Sequence, residues 1–219
     1  MMKLQVIPVG IYQTNCYLIE EEGLCIAVDP GDGDGAILRY LEKKEKRVNA
    51  VIVTHGHMDH FADAAELAGH FQTPIYFPKE ECAYLSSTEA RRGPYDERIV
   101  HIFEKALAQR GVLTEEGEEL RFGSLCFRVI VLSGHSKAGM CLYEASQKIL
   151  LAGDQLFAGS IGRTDLYRGS GTDLVCGIRQ KLLCLPEDTV VLPGHGPHTT
   201  IGEEKRSNPF LSEEVLWNL

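Results

Sequence analysis

Val51-Ile52-Val53-Thr54-His55-Gly56-His57-Met58-Asp59-His60 decides how this 219-residue chain is read. His55, His57, Asp59 and His60 place four metal-ligand side chains within six residues, directly after an apolar, β-branched run that reads as a buried strand. The segment that follows, Phe61-Ala62-Asp63-Ala64-Ala65-Glu66-Leu67-Ala68, is built from good helix formers. The donors therefore occupy a strand-to-helix loop, whose curvature can aim them at a common point, and Gly56 supplies a residue that tolerates tight backbone. His55 and His57, two apart in extended chain, project to one side and can share an ion. Asp59 and His60 lie beyond the bend and can hold a second. Asp59 alone would read equally well as a helix N-cap, but the six-residue pattern as a whole is that of a metal site.

The same design recurs three times. His135 ends Val129-Ile130-Val131-Leu132-Ser133-Gly134-His135, Asp154 ends Ile149-Leu150-Leu151-Ala152-Gly153-Asp154, and His195 ends Val190-Val191-Leu192-Pro193-Gly194-His195. Each is a strand, a glycine and a donor, so the strands deliver ligands to one edge of a sheet. A single histidine has many other uses, but four repetitions of one layout outweigh them. Seven nitrogen and oxygen donors suit two borderline divalent cations such as zinc, with no cysteine required.

The H-x-H-x-D-H run with its three later donors resembles the metallo-β-lactamase superfamily. Leu151 to Asp165, which contains Gly153-Asp154-Gln155-Leu156-Phe157 and Gly162-Arg163-Thr164-Asp165, is similar to the short bacterial glyoxalase II-like hydrolases, as is Pro193 to Leu211. Thr14-Asn15-Cys16-Tyr17-Leu18 and Val28-Asp29-Pro30-Gly31 also match, so the resemblance covers nearly the whole chain. It implies an α/β fold, the four-layer αββα metallo-β-lactamase sandwich. It implies that His55, His57 and His135 hold one ion and Asp59, His60 and His195 a second, with Asp154 bridging. Ala62-Asp63 stands where many relatives have Gly-Gly, and Ser133 where a proline is common; neither change removes a ligand.

Length, charge and cysteines fit this picture. No linker, low-complexity tract or short repeat interrupts the chain, so residues 1–219 read as a single domain. A net charge of −9 argues against nucleic-acid binding, which calls for a basic face. No apolar stretch spans a bilayer, and the first residues read as a strand and not as a signal peptide. The seven cysteines are odd in number, form no C-x-x-C pair and fall mostly in apolar runs, as small hydrophobes do in a reducing cytoplasm. Strands are expected near 3–9, 14–19, 24–28, 50–53, 75–77, 118–121, 125–132, 140–144, 148–152 and 189–192. Helices are expected near 34–46, 59–70, 79–87, 98–109, 173–184 and 202–207.

The chemistry expected is hydrolysis. Two cations about 3.5–4 Å apart acidify a bridging water and supply hydroxide for attack on a carbonyl, with Asp59 and Asp154 positioning it and able to accept its proton. A thiolate, whose thiol pKa is about 8.5, leaves with little protonation, which favours thioesters over lactams. The resemblance points to a hydroxyacylglutathione hydrolase (glyoxalase II type thioesterase) that cleaves S-2-hydroxyacylglutathione, S-D-lactoylglutathione in the usual case, to a 2-hydroxy acid and glutathione. The cofactors are then two divalent ions, zinc foremost, with iron or manganese as the other candidates, and the partner is a small-molecule, glutathione-derived thioester. Full-length glyoxalase II enzymes add a C-terminal helical domain with basic residues for glutathione. Only 24 residues follow His195 here, leaving Arg163, Lys205 and Arg206 as candidate substrate-binding residues; surface charge or salt bridging is the plain alternative. The competing reaction class is a mononuclear iron persulfide dioxygenase of the same fold, on two histidines and one aspartate. Oligomeric state is not legible, and neither is a role for 86–111.

Overall fold

The computed structural model describes residues 2–31, 34–85 and 97–212. The stretch Arg91-Arg92-Gly93-Pro94-Tyr95 and the end of the helix expected at 79–87 lie outside them. The chain forms two compact units, one of residues 1–114 with Arg121–Leu125, the other of Glu115–Leu120 with 126–219. Among the described residues no helix is long and apolar enough to cross a membrane.

The first unit is organised by a six-stranded sheet in the order β1 (Lys3–Val9), β2 (Thr14–Glu21), β3 (Leu24–Val28), β4 (Ala50–Ile52), β5 (Ile75–Pro78), β6 (Gly111–Thr114). β1 to β3 are an antiparallel meander, while β3 to β6 run parallel. Parallel neighbours need crossover connections, and these are α1 (Ala36–Lys43), the pair α2 (Met58–Phe61) and α3 (Ala64–Phe71), and α4 (Cys82–Leu85) with α5 (Glu97–Arg110). β4 is wholly buried and wholly apolar, as a strand covered on both faces should be. Phe103 of α5 packs on Phe61 and Phe77 at ring-centroid distances of 4.5 and 5.3 Å.

The second sheet contains β7 (Glu119–Phe122), β8 (Leu125–Leu132), β9 (Gly139–Glu144), β10 (Ile149–Gly153), β13 (Val190–Pro193) and β14 (Thr199–Thr200) in the order β14-β13-β10-β9-β8-β7, and β11 (Leu156–Phe157) with β12 (Ser160–Ile161) forms a small hairpin. α6 (Gly171–Gly177) runs into a π-helical turn over Ile178–Leu182, and α7 (Ile201–Ser207) follows β14. Leu174, Ile178, Leu182, Leu150, Val191 and Ile201 fill this unit's core. β10 pairs in parallel with β13, and the register slips between Leu151 and Gly153, immediately before Asp154.

Several expected elements differ in detail. The helix expected over 59–70 is two short helices. The break falls where Asp63 is held from outside the helix: its N–H donates to the Gly31 carbonyl, and its carboxylate accepts the Gly35 N–H at 3.0 Å. α1 stops at Lys43 and leaves the run Glu42 to Arg47 largely solvated, with Glu45 at φ 54°. β6 was not expected; it starts at Gly111, directly after the last residue of α5, where a Cβ would lie 2.4 Å from the Leu107 carbonyl oxygen, and its first three residues are exposed as on an edge.

Candidate metal centre

Thr54 and Gly56 carry the donor run out of β4, and α2 begins at Met58 with His57, not Asp59, at the N-cap position. His55, His57 and His60 are buried and Asp59 partly so. One carboxylate organises the pair His55 and His60. Asp29, itself buried, accepts the Thr54 N–H at 2.8 Å and the Thr54 hydroxyl at 2.8 Å, and its Oδ2 lies 2.9 Å from His60 Nδ1. The Thr54 hydroxyl gives its one proton to Asp29, so at 3.0 Å it can only accept from His55 Nδ1. Both rings therefore carry hydrogen on Nδ1 and present a bare Nε2, the tautomer a metal ligand needs. His57 enters the other way round, its Nδ1 lying 2.9 Å from His55 Nε2. Asp59 Oδ2 is 3.5 Å from His60 Nε2 and accepts the Thr14 hydroxyl at 3.0 Å.

The second unit assembles the other three expected donors. Asp154 Oδ2 lies 3.6 Å from His135 Nε2 and 3.4 Å from His195 Nε2. His135 Nδ1 is 2.9 Å from the carbonyl of Arg163, again leaving Nε2 forward. Backbone bonds hold the donor loops: Gly194 N–H donates to the Gly153 carbonyl at 2.7 Å, which ties the His195 loop to the Asp154 loop, and Ser170 N–H donates to the Gly134 carbonyl at 2.8 Å, which ties the His135 loop to the start of α6. Gly162 is fitted under two donors at once. A Cβ there would lie 1.9 Å from the Asp154 carbonyl oxygen and 2.9 Å from His135 Nδ1. The His and Asp groups assembled in the chain are able to hold metal ions, and the oriented imidazoles with carboxylate neighbours fit divalent cations of the zinc or iron type.

The three basic residues expected at the substrate all have acidic neighbours. Arg163 pairs bidentately with Asp165 at 2.8 and 2.9 Å and is exposed, and its guanidinium holds the Asp165 carboxyl at about 2, below the ordinary range. Lys205 faces Glu187 at 3.5 Å, and Arg206 faces Glu187 at 3.7 Å and Glu203 at 3.2 Å. His198 is exposed. All seven cysteines are free thiols. Burial pushes the thiols of Cys16, Cys25, Cys82 and Cys141 up, Cys25 to about 11, so none of these four is an activated nucleophile. Asp29, Thr54, Thr14 and Gly162 received no role from the sequence. Asp29 lies 31 residues from His60; the sequence marked it only as part of Val28-Asp29-Pro30-Gly31, and the structure shows it buried at φ 50°.

This is a metallohydrolase scaffold. The chain belongs to the Metallo-beta-lactamase superfamily, whose pattern it matches over residues 9–195. It is 35% identical to the hydroxyacylglutathione hydrolase GloC of Haemophilus influenzae, an alignment covering 97% of this chain and 100% of that one. Among solved structures it is similar to the BLEG-1 B3 metallo-beta-lactamase, at TM-score 0.80 and 32% identity over 97% of this chain and 100% of that one. It is also similar to TTHA1623 in a di-iron-bound form, at TM-score 0.77 and 30% identity over 94% of this chain and 100% of that one. These likenesses show the metallo-β-lactamase fold expected from the sequence.

Proposed function

We propose that this protein is a dinuclear metal-dependent thioesterase that hydrolyses S-2-hydroxyacylglutathione, S-D-lactoylglutathione in the simplest case, to a 2-hydroxy acid and glutathione. The observation that carries this reading is the end-to-end similarity to a hydroxyacylglutathione hydrolase, joined to three of the assigned histidines, His55, His60 and His135, held with Nε2 bare. His55, His57 and His135 are assigned to one ion, Asp59, His60 and His195 to the other, and Asp154 to both. Zinc is the first choice of metal; the di-iron neighbour makes iron the next. When bound, the ions supply a water acidified toward neutral pH and a Lewis acid for the carbonyl oxygen.

The chain's own residues do the rest. Asp29, directly and through Thr54, keeps His60 and His55 in one tautomer. The Thr14 hydroxyl fixes one oxygen of Asp59, and Asp59 and Asp154 are the groups placed to accept a proton from the nucleophile. The leaving thiolate needs no dedicated acid, since its conjugate thiol ionises at about pH 8.5. Arg163, Lys205 and Arg206 are assigned to the glutathione carboxylates, in competition with Asp165, Glu187 and Glu203. The seven free thiols support a reducing, cytoplasmic setting, and neither nucleic acid nor membrane is assigned as a partner.

The test is metal analysis of purified protein joined to parallel assays on S-D-lactoylglutathione and a chromogenic cephalosporin, the latter because of the likeness to a B3 metallo-beta-lactamase. Thioester turnover that scales with metal content is the expected result. A fully loaded sample that opens the lactam and leaves the thioester intact would overturn the proposal.

A further inference from the structure

The β11–β12 hairpin is too short to hold itself. Its strands have two residues each, paired Leu156 with Ile161 and Phe157 with Ser160, and an isolated two-stranded hairpin is marginal even when longer. A buried acid of α7 holds it instead. Glu204, 1% exposed, accepts the Gly159 N–H of the hairpin's turn on Oε2 at 2.9 Å and the Asn208 amide on the same oxygen at 2.7 Å. Its Oε1 accepts the Thr199 hydroxyl at 2.6 Å, and Asn208 Nδ2 also donates to the Ser160 carbonyl at 3.0 Å. Burying an acid is costly unless it is hydrogen-bonded, and three donors here fix the hairpin to α7 and β14.

Leu156 points into the core of the second unit, whereas Phe157, next in the strand, turns to the other side and is only partly buried. Its ring centroid lies 6.3 Å from that of His195, whose own side chain is 29% exposed. A lone exposed phenylalanine calls for no explanation. One that stands beside an assigned metal ligand, on a hairpin pinned by a buried acid, is a rigid apolar surface next to the donors. We propose that Phe157 is a specificity-determining residue whose ring receives the substituent on C2 of the 2-hydroxyacyl group, so that a large apolar substituent gains turnover from the contact. The proposal rests on the thioesterase function proposed for the chain. The glutathione half of the substrate is charged and the same in every S-acylglutathione, while the C2 substituent is apolar, variable and two bonds from the carbon attacked. An aromatic substituent gains most, because paired rings attract beyond the area they bury.

The experiment compares kcat/KM for S-D-mandeloylglutathione, with phenyl on C2, and S-D-lactoylglutathione, with methyl in the same place, in zinc-loaded wild type and Phe157→Ala. The substrates share leaving group and hydroxyl, so their ratio reports the C2 substituent. Zinc content and Tm are measured alongside. The expected result is a fall in the mandeloyl-to-lactoyl ratio of about fivefold or more, with zinc content kept. Equal losses on both substrates would make Phe157 part of the fold only, and a rise in the ratio would make it a barrier to large acyl groups; either overturns the proposal. Should Phe157→Ala fail to fold, Phe157→Leu takes its place, with an expected fall of about twofold or more, and a smaller change overturns the proposal. If zinc-loaded wild type turns over neither thioester, the thioesterase function fails first, independently of Phe157.

Discussion

Replacing Gly162 by alanine should disable the second unit's donors with a single methyl group. The added Cβ would lie 1.9 Å from the Asp154 carbonyl oxygen, 2.9 Å from His135 Nδ1 and 3.0 Å from its Cγ. Carbon and oxygen that are not bonded settle at about 3.5 Å, so the chain must open by more than about 1 Å. None of the obstructing atoms is the end of a flexible side chain: one is backbone, and the others belong to a ring fixed by the Arg163 carbonyl. The movement therefore displaces Asp154 and His135 together. Overpacking of this kind costs about 1–3 kcal/mol, or roughly 2–12 °C in Tm for a chain of this length. The bound metal should fall from two ions per chain toward one or none. Scanning calorimetry of metal-free protein gives the first quantity and elemental analysis of metal-saturated protein the second. Gly69→Ala is the control, because its Cβ meets nothing within 4 Å on helix α3, and it should be neutral or stabilising by about 0.5–1 kcal/mol. A Gly162→Ala protein that melts with wild type and retains two ions would refute this account of how Asp154 and His135 are held.

Asp154→Ala should lose bound metal in the same elemental analysis, and full retention of two ions would remove Asp154 as the bridge. Arg163→Ala should lower kcat/KM for the glutathione thioester more than for a small uncharged thioester, by roughly 1–2 kcal/mol; equal losses on both would make the residue structural. The same variant should return the Asp165 carboxyl from about 2 toward the ordinary range. Because that value is depressed, the pair is fully formed above the ordinary carboxylate pKa and is lost as pH falls through about 2, which an NMR titration follows. In a timed alkylation at neutral pH, exposed Cys184 should react first, with buried Cys16, Cys25 and Cys141 last by mass spectrometry; early labelling of Cys141 would contradict its burial. Thioester turnover should persist without oxygen, whereas oxygen uptake dependent on glutathione persulfide, in iron-loaded protein lacking thioesterase activity, would move the reaction to the dioxygenase class.

The donors were legible because each lies at the end of a short apolar strand that carries its own local signal. Val51-Ile52-Val53 announces the strand, Gly56 the bend and the helix formers the exit, so the donor run could be placed at a strand-to-helix junction from ten contiguous residues; His55 and His57 lie in the loop expected there, whereas Asp59 and His60 lie in the first turn of α2. β11, β12 and β14 have two residues each, too few for any period to show. The break at Ala62-Asp63 was invisible for a different reason. Propensity favours one continuous helix there, and contacts from Gly31 and Gly35, about 30 residues upstream, override it.

What sequence could not supply is the proton inventory of the site. A histidine at a strand end says that a donor is present, not which nitrogen faces the metal. That choice is made by residues remote in sequence: Asp29 for His60, the Arg163 carbonyl for His135, and Asp29 again through the Thr54 hydroxyl for His55. His57 shows the consequence. Its Nδ1 lies 2.9 Å from the bare Nε2 of His55, so it turns toward its neighbour the nitrogen that the other three hold against the protein, and it carries the hydrogen of that contact. One Asp29 carboxylate thus fixes two ligands assigned to different ions. Asp29→Asn must therefore weaken both, since an amide has one acceptor oxygen where three donors now converge on two. Removing a single ligand such as His195 should leave the other ion bound. If Asp29→Asn cost only one ion in elemental analysis, the shared-carboxylate account of His55 and His60 would be wrong.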